Sequence, residues 1–166
     1  MSVKHPIVAI AGSSGAGTTS ITRTFQEIFR RESVNAVIIE GDSFHRFDRA
    51  EMKAAMAEAE RAGNRHFSHF GPEANLFEEL ATLFRTYGVS GAGRRRRYLH
   101  DDEEAEPYGQ PPGTFTPWEA LPADSDMLFY EGLHGAVVDG SVDVSRYPDL
   151  LIGVVPVINL EWIQKL

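Results

Sequence analysis

Gly12-Ser13-Ser14-Gly15-Ala16-Gly17-Thr18-Thr19 is the stretch on which the fold turns. A short apolar run, Ile7 to Ala11, precedes it. Ile21, Phe25, Ile28 and Phe29 follow at helical spacing through Arg31. A buried strand, a glycine-rich turn and a helix, with the spacing G-x-x-x-x-G-x-[ST], is a P-loop. Glycines let the backbone curl so that successive N–H groups point inward, and the helix N-terminus behind them adds partial positive charge. Residues Gly12 to Thr19, with Ser20 behind them, are therefore the expected cradle for a nucleotide's polyphosphate. Thr19 would place a hydroxyl on Mg²⁺. Thr18 stands where the motif usually has lysine, so the cation that phosphoryl transfer needs must come from elsewhere. Glycine-rich turns also join strands to helices without any ligand, but the full strand–loop–helix context weighs against that reading.

Outward from this turn, Ala36 to Ile39 forms a second apolar run ending in Glu40-Gly41-Asp42. Strand, helix, strand argues a right-handed βαβ unit and a parallel sheet. Asp48 with Glu51 three residues on is an approximate capping box for a helix ending near Gly63. A further helix is expected from Pro72, with Leu76, Phe77, Leu80, Phe84 and Tyr87 as its apolar face and Gly88 as its stop. From Ser90 to Ser125 glycine, proline and charge dominate, which reads as an irregular insertion with one hairpin. Met127 to Tyr130 and Leu150 to Val155 are the third and fourth core strands, and a helix opens at Asn159. The expected fold is α/β: a P-loop NTPase-like three-layer sandwich, a mostly parallel core sheet with helices on both faces. The chain reads as one domain over residues 1–166, incomplete at its C-terminus and so a fragment of a longer protein, with the insertion at about 90–125.

Asp42 follows the second strand, whose end faces the same rim as the P-loop in a parallel sheet. An acid there can take the proton of an attacking hydroxyl or bind the metal. Alone it would be an ordinary turn aspartate. Its setting, Glu40-Gly41-Asp42-Ser43-Phe44-His45-Arg46, is harder to dismiss. Glu131 closes the third strand in Leu128-Phe129-Tyr130-Glu131-Gly132, an apolar strand ending on an acid in the manner of a Walker B metal ligand.

The composition excludes several classes. The 166 residues carry 42% hydrophobic side chains, ordinary for a packed soluble domain. No apolar run approaches the roughly 18 residues of a membrane span. The N-terminus lacks the long apolar core of a signal peptide. The absence of cysteine removes disulfides and thiolate sites, and a cytoplasmic location fits. A net charge of −8 argues against nucleic-acid binding. The run Arg94-Arg95-Arg96-Arg97, just before Asp101-Asp102-Glu103-Glu104, is either solvated surface or a basic patch for a phosphorylated ligand.

These motifs together resemble the bacterial class of phosphoribulokinases, over the whole chain. The resemblance rests on the P-loop ending Gly17-Thr18-Thr19 and on Glu40 to Phe47. It rests also on Tyr98-Leu99-His100-Asp101-Asp102, Phe129-Tyr130-Glu131-Gly132-Leu133-His134-Gly135 and Val155 to Lys165. It implies an ATP- and Mg²⁺-dependent phosphorylation of ribulose 5-phosphate to ribulose 1,5-bisphosphate, in Calvin-cycle carbon fixation. By the same resemblance Asp42 is the general base, and His45, Arg49, Lys53, Tyr98 and His100 contact the sugar phosphate. Glu131 acts at the metal, and Lys165 is the catalytic lysine that replaces the missing P-loop cation. A homo-oligomer and an NADH effector, with Arg30-Arg31 among the basic residues involved, are further implications. Arg49 and Lys53 lie four apart on one helix face, and that face is alternatively a solvated stripe. The family tends to alternate arginine with threonine where Arg94 to Arg97 stand. Four consecutive arginines in a strand would put two on each face. Two other readings remain: another small-molecule P-loop kinase, such as a uridine kinase, and a non-catalytic nucleotide-binding module.

Overall fold

The computed structural model describes residues 4–13 and 16–155. In chain order the elements are β1 (Ile7–Gly12), α1 (Thr18–Arg31), β2 (Ala36–Glu40), α2 (Arg49–Arg61), α3 (Phe77–Ser90) and β3 (Arg94–Arg95). They continue with α4 (Asp102–Ala105), β4 (Glu119–Ala120), β5 (Met127–Gly132), β6 (Val138–Asp139), β7 (Val142–Asp143) and β8 (Leu150–Val154). Short 3₁₀ turns occupy Gly41–Phe44 and Glu106–Tyr108. The central sheet has four strands in the order β2-β5-β1-β8, and every pairing within it is parallel.

Alternation along the strands builds two cores. Val37, Leu128 and Ile7 share one cross-strand row, and Ile39, Tyr130 and Ala9 the next. All six are buried, and they meet Leu80, Leu83, Phe84 and Tyr87 of α3. On the opposite face Phe129 packs its ring 5.0 Å from Phe25 and 5.3 Å from Phe29, both on α1. The sheet thus has helices on both faces, as the sequence predicts. Parallel strands buried on both sides read as continuous apolar runs, and β1 and β5 do so.

The expected capping box forms as read. Asp48 Oδ1 accepts from the Glu51 N–H at 2.8 Å, and Glu51 Oε2 accepts from the Asp48 N–H at 2.9 Å. Two helix boundaries differ from expectation. The helix expected from Pro72 begins at Phe77, because the segment before it bonds elsewhere. The Leu76 N–H donates to the Phe44 carbonyl at 2.8 Å, and His45 and Asn75 form an isolated antiparallel bridge. Gly88 does not stop α3. It lies inside the helix against Ile7, and Gly91, at φ 70°, takes the left-handed C-cap instead.

Between α3 and β5 the hairpin β3–β4 forms, extended by a bridge between Tyr98 and Phe115. The second hairpin, β6–β7, was not expected, although its two-residue loop Gly140-Ser141, with Gly140 at φ 54°, is a turn signal in the sequence. The helix expected from Asn159 lies outside the described residues. Among those that are described, no helix is long and apolar enough to cross a membrane.

Candidate active site

The sheet order brings the predicted acids to the P-loop. β5 sits between β1 and β2, and in the register Glu131 stands beside Ile10 on one side and Glu40 on the other. The strand ends approach closely: a Cβ on Gly41 would lie 2.9 Å from Gly132 Cα and 2.7 Å from the Tyr130 hydroxyl. Only glycine fits there, and the chain then turns through the 3₁₀ segment that presents Asp42. Gly17, at φ 89°, makes the left-handed turn into α1, and having no side chain it cannot cap that helix. A Cβ on Gly12 would lie 2.7 Å from Thr18 Cγ2, so the end of β1 and the start of α1 come into close contact.

A cleft of about 420 Å³ is lined by Gly12, Ser13 and Thr18 of the loop together with Asp42, His100 and Glu131. His45 lines this cleft and also a neighbouring cavity of about 1040 Å³, which Arg49, Lys53 and Tyr98 line as well. The structure therefore brings together Asp42, His45, Arg49, Lys53, Tyr98, His100 and Glu131 beside Gly12, Ser13, Thr18 and the start of α1. Ser14, Gly15 and Lys165 lie outside the described residues, as does the Thr19 side chain. Ala16 and Ser20 are placed by the backbone of the loop and first turn, where Ala16 N–H donates to Ser13 O at 2.9 Å and Ser20 N–H to Gly17 O at 3.1 Å.

Asp42 is held between two imidazoles. Its Oδ2 lies 3.0 Å from His100 Nε2 and its Oδ1 3.2 Å from His45 Nε2. His100 Nδ1 meets Glu104 Oε2 at 2.9 Å, so both ring nitrogens face carboxylates. Its pKa is pushed up to about 9, chiefly by the bond to Asp42, against the opposing effect of burial and with help from Glu104. Asp42 is correspondingly held well below the usual carboxylate range by His100 first and His45 second. For His45, burial opposes the cation, but the hydrogen bonds to Asp42 and Asn75 outweigh it and raise the pKa.

Arg49 opens α2 and donates from Nη2 to the His100 carbonyl at 2.8 Å, fixing the backbone beneath that histidine. Tyr98 stands edge-on to His100, ring centroids 5.0 Å apart, and to His45 at 6.4 Å. Lys53, one turn along α2 from Arg49, faces the larger cavity.

The arginine run is neither a strand with two arginines on each face nor a single basic patch. Only Arg94 and Arg95 belong to β3, and Arg95 pairs with Glu119 at 2.8 Å. Arg96 lies over the Phe115 ring, 3.6 Å from its centroid, and donates to the carbonyls of Ser43 and His45. It therefore clamps the loop that carries Asp42. The Arg97 N–H donates to Thr116 Oγ1 at 2.9 Å.

Sequence reasoning missed Asn75 and Glu104 as parts of this site and did not single out Arg96 within its run. Glu104 had a signal, since it lies one helical turn after His100 and Asp101 caps the turn between them. Asn75 had none.

A P-loop turn, a parallel sheet and acids at two neighbouring strand ends define the P-loop kinase fold. The chain matches the model of the phosphoribulokinase/uridine kinase family over residues 7–166 and belongs to that family. It is 72% identical over 166 residues to the chromosomal phosphoribulokinase of Cupriavidus necator, covering 100% of this chain and 57% of that protein. It is 56% identical to the probable phosphoribulokinase of Escherichia coli K12, again over 100% of this chain and 57% of the relative. The solved phosphoribulokinase from Rhodobacter spheroides superposes with a TM-score of 0.86 at 54% identity, covering 98% of this chain and 55% of that one. The chain thus spans little more than half the length of the proteins it matches.

Proposed function

We propose that the full-length protein transfers the γ-phosphoryl group of ATP to ribulose 5-phosphate, forming ribulose 1,5-bisphosphate and ADP in carbon fixation by the Calvin cycle. The observation that carries this reading is Asp42. Its carboxylate lines the same cleft as Gly12, Ser13 and Thr18, and His45 joins that cleft to a cavity lined by Arg49, Lys53 and Tyr98. The nucleotide's phosphates belong in the P-loop, and the sugar phosphate belongs beside Arg49 and Lys53. The acceptor hydroxyl then lies between them, at Asp42. The names of the relatives support the same substrate.

In this reaction Asp42 takes the proton of the acceptor's O1 hydroxyl. The freed oxygen bonds the γ-phosphorus as the bond from that phosphorus to the leaving ADP oxygen breaks. Lys165 supplies the cation that Thr18 does not. Mg²⁺ typically keeps several waters and takes one or two carboxylates plus substrate phosphates. Glu131, beside the loop, suits that role, with Thr19 as the hydroxyl ligand of the motif. Asp42 suits it less than the sequence alone suggested, because both its oxygens are engaged by histidine. Bound there, the ion would neutralise charge developing on the transferred phosphate. Homo-oligomerisation, a cytoplasmic location and an NADH response belong to the same reading through the family resemblance.

The test is a coupled ADP-release assay on the full-length gene product, with ribulose 5-phosphate and uridine offered separately. Turnover on ribulose 5-phosphate alone is expected. Phosphorylation of uridine with none of the sugar phosphate would overturn the proposal.

A further inference from the structure

The two imidazoles on Asp42 are not equivalent. His100 and its second partner, Glu104, have side chains 44% and 49% exposed, where an ion pair is weakly held. His45 has a side chain only 18% exposed, and its second partner is Asn75, itself 2% exposed.

Asn75 is fully committed. Its Nδ2 donates to the carbonyls of His69 and Gly71, both at 2.8 Å. With both amide hydrogens used, Oδ1 is the atom that faces His45 Nδ1, at 2.8 Å. An amide oxygen only accepts, so His45 Nδ1 must carry a hydrogen. Flipping the amide would set Oδ1 against the carbonyls of His69 and Gly71 and leave both without a donor, a costly arrangement in a buried place. The backbone reinforces the geometry. His45 and Asn75 are bridged, Arg46 N–H donates to Ala74 O at 2.8 Å, and Leu76 N–H donates to Phe44 O at 2.8 Å. The ring cannot turn without breaking this knot, and its Nε2 is left aimed at Asp42 Oδ1; a carboxylate only accepts, so Nε2 carries a hydrogen too and His45 binds there as the imidazolium.

We propose that Asn75 is a positioning residue: it locks His45 onto Asp42 Oδ1, so that Oδ2 is the oxygen that receives the proton of the attacking hydroxyl. This rests on the reading of Asp42 as the base. His100 is the arm that yields. When substrate enters, its ring leaves Oδ2 and the acceptor hydroxyl takes its place. The proton passes to Oδ2, the alkoxide oxygen bonds the γ-phosphorus, and ADP departs with the electrons of the broken bond. Throughout, Oδ1 stays tied to His45, which keeps the carboxylate from rotating.

The first experiment needs neither substrate nor variant. In full-length protein labelled with ¹⁵N-histidine, the His45 ring is expected to show a hydrogen on Nδ1 that exchanges slowly with water. A His45 ring with bare Nδ1, or one exchanging as fast as a surface histidine, would overturn the proposal. Because no turnover is involved, this result stands apart from whether the protein phosphorylates a sugar at all.

The second experiment separates positioning from mere stability. Asn75→Ala removes the acceptor for His45 and both donors. Asn75→Asp keeps an acceptor but loses the donors and sets a carboxylate against two carbonyls, so it is expected to be no more stable than the alanine variant. Asn75→Ala should lower kcat roughly ten- to a hundred-fold through misplacement of the base, with KM for ATP unchanged. Asn75→Asp should retain the greater share of wild-type kcat. If kcat instead follows the melting temperature across the two variants, Asn75 is structural only and the proposal fails.

Discussion

Arg96 offers the sharpest link between the fold and the site. Its guanidinium lies 3.6 Å from the Phe115 ring centroid and 4.9 Å from that of Trp118. It donates to the Ser43 carbonyl at 2.9 Å, inside the 3₁₀ turn that carries Asp42, and to the His45 carbonyl just past that turn. Hydrogen bonds from a charged donor are worth about 1.5–3 kcal/mol each. A half-buried cation over an aromatic face adds about 1 kcal/mol. The contacts share one side chain and do not add fully, and water can reach part of the vacated space. Arg96→Ala is therefore expected to destabilise the full-length protein by about 3 kcal/mol. Arg96→Lys keeps the charge but loses the planar fork that reaches both carbonyls, and should cost about half as much. Urea denaturation followed by tryptophan fluorescence reads both values, since Trp118 lies against the substituted side chain. A loss below about 1 kcal/mol for alanine, or a lysine variant equal to wild type, would refute the clamp.

Two further outcomes follow from the same geometry. His100 is raised from 6.5 to about 9 in the folded protein, so the stability it lends is complete below its ordinary pKa and is lost as pH rises through about 9. Asp42, held low, describes the same pair from the acid side: its share is present above the ordinary carboxylate range and is lost on acidification. With side chains 44% and 53% exposed, the pair is screened, so the shape of the curve is the readout. Melting temperature should fall between pH 7 and pH 10 in wild type and lose that step in His100→Gln; an unchanged step contradicts the pairing. In the core, Phe129→Ala removes a fully buried ring wedged against Phe25 and Phe29 and should cost about 3–5 kcal/mol in equilibrium unfolding. A cost under about 1.5 kcal/mol would mean that α1 does not pack as described.

The parts of this molecule that were legible in the sequence are those specified locally. The apolar runs of β1, β2 and β5, the helix after the glycine-rich turn and the Asp48–Glu51 cap all depend on residues close in the chain, and all form as read. Asp42 and Glu131 were legible because a parallel sheet necessarily puts strand ends on one rim. What escaped was fixed by partners distant in sequence. Asn75 looked like part of a helix opening at Pro72, yet its amide and the backbone around it are used by residues 44 to 46. Gly88 looked like a stop, but α3 runs on through it and Gly91, in the left-handed conformation, ends the helix. The arginines looked alike in a row. Their fates were set separately by Glu119, by Phe115 and Trp118, and by Thr116, none adjacent to them in the chain.

Asp42→Asn in the full-length protein is the most direct trial of the central claim. The variant keeps the shape of the side chain and leaves the P-loop untouched, so ATP affinity measured by calorimetry should match wild type. Turnover with ribulose 5-phosphate should fall by about 10²–10⁴-fold, the usual worth of a general base. Turnover within a few-fold of wild type would contradict the account.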